Sequence, residues 1–574
     1  MDIWTTAQMQ KSNGGRGRRK NSNGQSSYGI KKLRELILEL AVRGKLVPQD
    51  PNDEPASVLM EKIAKEKKRL VKESKIKKQK SLPEISEDEK PFELPVGWEW
   101  VRLGSIGDWG AGSTPDRKKL HYYGGNMPWL KSGELRDNEH LSSSEETVTN
   151  DALKSCSLRV CHPGDVLIAM YGATIGMLAI LENTATTNQA VCACTCHSGI
   201  FNRYLFVMLR AWRPRFTGQG AGGAQPNISK VKILNTIAPL PPLDEQHRIV
   251  AKVDELMAIC DQLEQQQTDS NATHQTLVET LLANFTNAAD QKECAKTWQR
   301  IANHFDTLFT TEQSIDQLKQ TILKLAVMGK LVPQDPNDEP ASVLLKKIAK
   351  EKERLIKEGK VKKGRRLPQI NTDATRFELP QGWSWARFSE IGEFGRGKSK
   401  HRPRNDPSLY SNGKYRMVQT GDVARANGIV KTYTALYNDN GLSQSRLWPK
   451  GTMCITIAAN IADSGILGFD ACFPDSVVGL IPSAEIGNAM YFEYFMRTAK
   501  GYLMDFAPST AQKNINLGIL ETVYIPLPPA EEIKRIVAKV DELMALCDTL
   551  KSRLDDAQTT QVQLADAIVD HAVA

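Results

Sequence analysis

Apolar positions recur at alternating steps of four and three from Asp244 onward, at Ile249, Val253, Leu256, Cys260 and Leu263. That spacing is the seam of a helix lying along another helix. Pro241 and Pro242 stand before it and acidic residues open it, as suits a helix start. A second such stripe runs near the C-terminus through Ile536, Val540, Leu543, Cys547, Leu550, Leu554, Ala557, Leu564 and Ile568. Helical spacing also covers Lys31–Val42 and Asp316–Val327, each stopped by a glycine (Gly44, Gly329) and a Pro-rich turn, then the Lys-rich stretches Ala56–Lys77 and Ala341–Lys362. Short β-type runs such as Asp165–Met170 and Thr452–Ala458, among Gly, Asn and Pro turns, predict compact α/β (α+β) domains between the helical blocks.

These elements come in pairs because the chain is an internal duplication. Gly44–Leu59 and Gly329–Leu344 both read GKLVPQDPNDEPASVL, an offset of 285; Ser81–Trp100 and IGDWGAG from Ile106 match Arg366–Trp385 and IGEFGRG from Ile391 in the same register. RIVAKVDELMAICDQL from Arg248 returns as RIVAKVDELMALCDTL from Arg535, offset by 287, each after a PLPP turn. Between the matching blocks, from about 112 to 226 and about 398 to 513, the copies diverge. Two long repeats make a pseudo-two-fold pair within one chain, one frame carrying two different heads. The expected organisation is a basic tail over 1–30, read as disordered, helical regions over 31–90, 244–375 and 531–574, and heads over 91–243 and 376–530. At ~1.5 Å rise per residue, a helical spacer of about 30 residues sets two heads ~45 Å apart, or ~13 base pairs of DNA.

Composition narrows the function. The 574 residues carry 75 Lys and Arg against 67 Asp and Glu, a net charge of +8 that suits an anionic partner. No long apolar run offers a membrane span or signal peptide, and the ten scattered cysteines fit a reducing compartment, so a cytoplasmic location is expected. Cys192, Cys194 and Cys196 alternate beside His197, with Cys161 and His162 nearby; this reads as a buried strand rather than a metal site. Gly392–Ser399 fits the phosphate-binding pattern G-x-x-x-x-G-K-S, but Pro403 and Asp406-Pro407 follow where a helix should open. No methyltransferase tetrapeptide of the N-P-P-Y or D-P-P-F kind is present, and no catalytic residues are assigned. Two rival readings are a coiled-coil scaffold whose heads bind proteins and a nucleotide hydrolase built on Lys398.

The strongest motifs are FELPVGWEWVRLGSIGDWGAGSTP from Phe92, MPWLKSGEL from Met127, and QPNISKVKILNTIAPLPPLDEQHRIV from Gln225; the second half repeats the first at Phe377 and the last from Asn514. By these the chain resembles type I restriction-modification specificity subunits over nearly its whole length. The resemblance implies two target recognition domains, joined by long antiparallel coiled-coil helices, that read the halves of a bipartite double-stranded DNA sequence. It also implies docking to two modification subunits that methylate adenine with S-adenosylmethionine, and to restriction subunits that translocate and cleave with ATP and Mg2+. This chain itself would hold no cofactor. Candidates for readout in the first head are Thr114, Arg117, Lys118, Lys119, Tyr122, Tyr123, Lys131 and Glu134; in the second, Lys398, Lys400, His401, Arg402, Arg404, Gln419, Thr420 and Asp422. Arg pairs with guanine, Gln and Asn with adenine, and Lys more often with phosphate. Gln225 with Asn227, and Gln512 with Asn514, recur in both copies and fit either a shared backbone contact or a structural turn.

Overall fold

The repeat seen in the sequence is a repeat of structure. A computed structural model describes residues 4, 28–76, 78, 80–219, 227–288, 291–359, 370, 377–401, 403–458, 460–505, 515 and 517–573. The chain divides into two compact units, Met1–Ser270 with Ala557–Ala574, and Asn271–Asp556.

In the first unit an opening helix, Tyr28–Val42, buries Ile30, Ile37, Leu38 and Ala41. It ends because Gly44 turns left-handed at φ 67° and lets Lys45 N donate back to Leu40 O at 3.0 Å. A Cβ there would meet Pro95 at 2.5 Å, so only glycine fits this stop. The following helix, Ala56–Lys72, is shorter than the Lys-rich stretch suggested, because Glu73 caps it and Ser74 adopts φ 55°. Its counterpart Ala341–Lys357 stops in the same way at Glu358 and Gly359.

A two-stranded ribbon, Glu99–Arg102 with Ile237–Leu240, closes the neck of the head. Above it lies a five-stranded sheet in the order Gly107–Ala111, Val191–Cys196, Val166–Ala169, Leu178–Leu181 and Asn138–Leu141, antiparallel except for the last pair. One face packs on the helix Asn202–Ala211 and the opening helix; the other forms a separate small core with Leu130, Leu135 and Ala185. Hence Val191–Cys196 is buried on both faces, with Cys192 and Cys194 in one core and Val191 and Ala193 in the other. A smaller four-stranded sheet holds Glu146–Val148, Tyr123–Leu130, Ala185–Thr187 and Val160–Cys161.

The second unit repeats this plan. Ser384–Ala386 pairs with Ile525–Leu527, and its five strands run Gly392–Arg396, Val477–Pro482, Met453–Thr456, Ser464–Leu467 and Ile429–Val430. The helix Met490–Asp505 stands where Asn202–Ala211 does; Tyr491 and Tyr204 each donate their hydroxyl to the proline carbonyl of the neck, Pro526 and Pro239. The architecture is the expected one of two α/β heads on long helices.

Those helices are Leu243–Asn287 and Ala530–Val573, 45 and 44 residues long, each longer than 30 residues. Ile249, Val253 and Cys260 are buried in the first unit, and Ile536, Val540 and Cys547 in the second, as the seam requires. Past Leu554 the expected seam slips. Ala557 is exposed and Leu564 is 45% exposed, whereas Ala565 is fully buried. Asp566 there accepts from Tyr28 at 2.7 Å, binding the tail to the opening helix of the first unit.

Candidate nucleic-acid interface

Strand polarity gathers the variable segments of the first head at one end of its five-stranded sheet. Gly112–Tyr122 leaves after the first strand, Tyr171–Met177 follows Val166–Ala169, Asn188–Ala190 precedes Val191–Cys196, and Arg136-Asp137 precedes Asn138–Leu141. Gly112 N donates to Val191 O at 3.1 Å, Ser113 N to Thr187 O at 3.0 Å, and Met170 N to Ala190 O at 2.7 Å. Ile228 N reaches Met170 O at 2.9 Å, which brings Asn227 against Tyr171.

Within this cluster Arg117 lies over the rings of Tyr123 and Trp129, at 4.8 and 4.9 Å from their centroids, and donates to Glu146 at 2.6 Å. Lys131 shares the same carboxylate at 3.1 Å and also holds Glu145 at 2.9 Å. The Glu146 bond pushes the Arg117 guanidinium above its ordinary range, and Arg117 and Lys131 together pull the Glu146 carboxyl down. Lys118 and Lys119 are exposed, and Lys119 Nζ sits 5.6 Å from the centre of the Tyr122 ring. Tyr122 is buried and Tyr123 donates to Pro115 O at 2.6 Å, so these tyrosines support the loop from beneath. Thr114 is half-buried at its root. Glu134 faces inward as a cap, accepting from Lys131 N at 2.8 Å and Glu145 N at 2.9 Å. Asn227 is exposed; Gln225 lies outside the described residues.

The second head gathers its loops at the same end. Gly397 N donates to Val477 O at 2.9 Å, and the segment that follows exposes Lys398 and Lys400. The backbone N–H groups of Lys400 and His401 both donate to Gln444 Oε1, at 2.6 and 3.1 Å. His401 Nε2 lies 2.7 Å from Asp406, whose carboxyl is held down to about 2 by the Ser408 N–H and by His401. Arg404 pairs with Asp475 at 2.5 Å. Gln419 is exposed and Thr420 half-buried. Asp422, only 2% exposed, accepts from Gln419 N at 2.9 Å, Arg425 at 2.8 Å and Thr434 at 2.5 Å, so it has no surface to offer a base. Arg402, Gln512 and Asn514 lie outside the described residues.

Sequence reasoning missed a basic pair behind each loop cluster, on the helices Asn202–Ala211 and Arg213–Gln219 in the first head and on Met490–Asp505 in the second. Arg210 and Arg213 correspond, at the 287 offset, to Arg497 and Lys500. Arg213 donates to Asp137 at 2.5 Å and Gly176 O at 2.9 Å. Arg497 pairs with buried Glu493 at 2.7 Å and Lys500 with Asp463, beside a cavity of about 250 Å³ that Arg425 also lines. The offset could have found them, since it carries the charges across heads that otherwise differ.

Other chemistry is weak here. Gly392–Arg396 is a sheet strand and the described residues 398–401 open no helix, unlike a phosphate-binding loop. Burial pushes the thiols of Cys161 and Cys192 up to about 12 and the His197 imidazole down, which suits core residues. Among the described residues no three His, Cys, Asp or Glu side chains gather as a metal site, and no helix is long and apolar enough to cross a membrane.

Comparison with known proteins agrees with this geometry. A family model described as the type I restriction modification DNA specificity domain matches residues 95–270 and 380–557. The chain is 38% identical to the type I restriction enzyme EcoAI specificity subunit of Escherichia coli over 100% of its own length and 98% of that protein's. It is 37% identical to the EcoEI specificity subunit of the same organism, with the same coverage. A crystal structure of the HsdS subunit from Thermoanaerobacter tengcongensis superposes over 84% of this chain and 98% of that one, at 19% identity and a TM-score of 0.42, too loosely to carry an argument.

Proposed function

The chain belongs to the family of type I restriction-modification DNA specificity subunits, and from that premise we propose that each of its heads reads one half of a bipartite double-stranded DNA target. One observation carries this reading: the two loop clusters occupy the corresponding end of corresponding sheets, each on its own copy of a repeated frame, yet present unlike side chains. The first offers Lys118, Lys119 and Arg117, the arginine lying over the rings of Tyr123 and Trp129; the second offers Lys398, Lys400, His401 and Arg404. Lysines at the rim suit phosphate contacts, which position the protein, while arginine and amide side chains suit base edges. Asn227 and Gln419 are exposed amides, which suits adenine edges.

The chain then directs chemistry done elsewhere. Its partners are two modification subunits that methylate adenine with S-adenosylmethionine, and restriction subunits that use ATP and Mg2+. Co-expression with the modification subunit in a methylation-free host, followed by long-read mapping of methyladenine, tests this. One split motif with two unrelated halves is expected, and exchange of residues 112–226 for another head should change one half only. Change in both halves, or no methylation from an assembled complex, would overturn it.

A further inference from the structure

One side chain in the first loop cluster fits neither a packing role nor a phosphate contact. Leu120 is 80% exposed, at the tip of the loop that carries Lys118 and Lys119, while the residues around it are fastened. Lys118 N donates to Asp116 Oδ1 and Lys119 N to Asp116 O, both at 3.0 Å. Tyr122 N closes the turn on Lys119 O at 3.0 Å, Thr149 N holds Tyr122 O at 3.0 Å, and Thr149 Oγ1 holds His121 O at 2.9 Å. Tyr122 is buried with the His121 ring against it at 4.3 Å. A leucine is therefore held out on a braced backbone, directly after two exposed lysines.

We infer that Leu120 is a specificity-determining residue of the first head and contacts the 5-methyl group of a thymine in the half-site read there. This rests on the proposed DNA reading of the heads. Lys118 and Lys119 beside it suit flanking phosphates, which would seat the tip in the groove. The apolar feature that the major groove presents on its base edges is the thymine methyl, and an aliphatic tip matches it. The corresponding turn of the second head is built differently. That turn, Pro407–Leu409, buries Leu409 at 3% exposure and shows Pro407 and Ser408 instead. Thymine reading by an aliphatic tip thus belongs to one half-site.

The test uses the chain assembled with its modification subunits and duplexes carrying the mapped target. Each thymine is replaced singly by deoxyuridine, which removes the methyl and nothing else. For the unaltered chain, one replacement in the first head's half-site should raise Kd roughly fourfold, the worth of one buried methyl. Leu120→Ala should lose that discrimination, binding both duplexes alike, while Leu120→Met restores part of it. Replacements in the other half-site should be insensitive to residue 120. The inference fails if no deoxyuridine position couples to residue 120, if the half-site has no thymine on either strand, or if Leu120→Ala weakens every duplex equally, as a stacking wedge would. Unchanged melting of the Leu120→Ala complex separates lost contact from lost fold. Absence of any sequence-specific binding by the unaltered complex would instead sink the DNA reading itself.

Discussion

Trp98→Phe probes how a head is fastened to its helix, and its cost should depend on pH. Trp98 Nε1 donates to Glu245 Oε2 at 2.9 Å in the first turn of the long helix, and Gln49 Nε2 reaches Oε1 at 3.2 Å. Glu245 is 1% exposed; burial pushes its carboxyl above the usual range, and the indole and amide donors pull it back. Phenylalanine keeps part of the ring but leaves Oε2 without its donor. The packing loss, about 1–2 kcal/mol, does not vary with pH. The lost bond costs about 0.5–1.5 kcal/mol when Glu245 is protonated and about 1.5–3 kcal/mol when it is ionised. A carboxyl whose folded pKa is raised gives its full stability below the unfolded pKa and loses it as pH rises through the folded one. Removing the indole raises the folded pKa further, so the penalty must grow upward. Urea unfolding of the full chain should show the first unit destabilised by about 1 kcal/mol more at pH 8 than at pH 5. Trp383→Phe, which removes the 3.0 Å bond to Glu532, should do the same to the second unit. A penalty that stays flat or shrinks toward pH 8 would refute the assignment of the indole bond to the ionised carboxylate.

Changing Lys118 and Lys119 together to Ala should weaken DNA binding almost uniformly across sequences and flatten the plot of log K against log salt by about 1.8, as two lost phosphate contacts require; a changed methylation motif would contradict that role. Asp422→Asn should cost about 2–3 kcal/mol in thermal unfolding of the second unit, because a cap accepting three bonds loses its charge. A shifted base preference at full stability would show that Asp422 reads DNA after all. On the tail, Leu564→Ala should stay within about 0.5 kcal/mol and Ala565→Leu should cost about 1–3 kcal/mol. The reverse ranking in unfolding experiments would restore the expected seam.

Periodicity located both long helices and the helices Tyr28–Val42 and Glu312–Val327, since an apolar stripe and a glycine stop are local signals. The Lys-rich helices were overrun by five residues because their ends are set by backbone turns at Ser74 and Gly359, and the lysine run continues past them. The tail misled for a different reason. Leu554 and Leu564 suggested a continuing stripe, yet beyond Leu554 the covered positions are Gln558, Gln561, Val562, Ala565, Asp566, Ile568, Val569, Ala572 and Val573, where polar and small residues interrupt the apolar ones and blur the face. The gathering of loops at one sheet end was not legible, because it depends on pairings such as Gly112 with Val191 that span the whole head.

The two capping turns show why the heads can differ while the frame persists. Lys131–Glu134 and Gln419–Asp422 are related turns in which an acidic residue accepts from the backbone N–H three positions earlier, at 2.8 and 2.9 Å. A glutamate does this in one head and an aspartate in the other, so the requirement is the carboxylate and not its reach. The residue at the start of each turn contributes only its backbone N–H to that bond, and there the copies diverge freely, Lys131 against Gln419. The acidic residues of these segments are thus spent on holding shape, and variation falls on neighbours that give the turn only their backbone N–H, the Lys131 side chain being engaged outside the turn with Glu145 and Glu146. Specificity can then change by substitution at positions such as 131 and 419 without loss of the turn, whereas change at 134 or 422 must be answered in stability first.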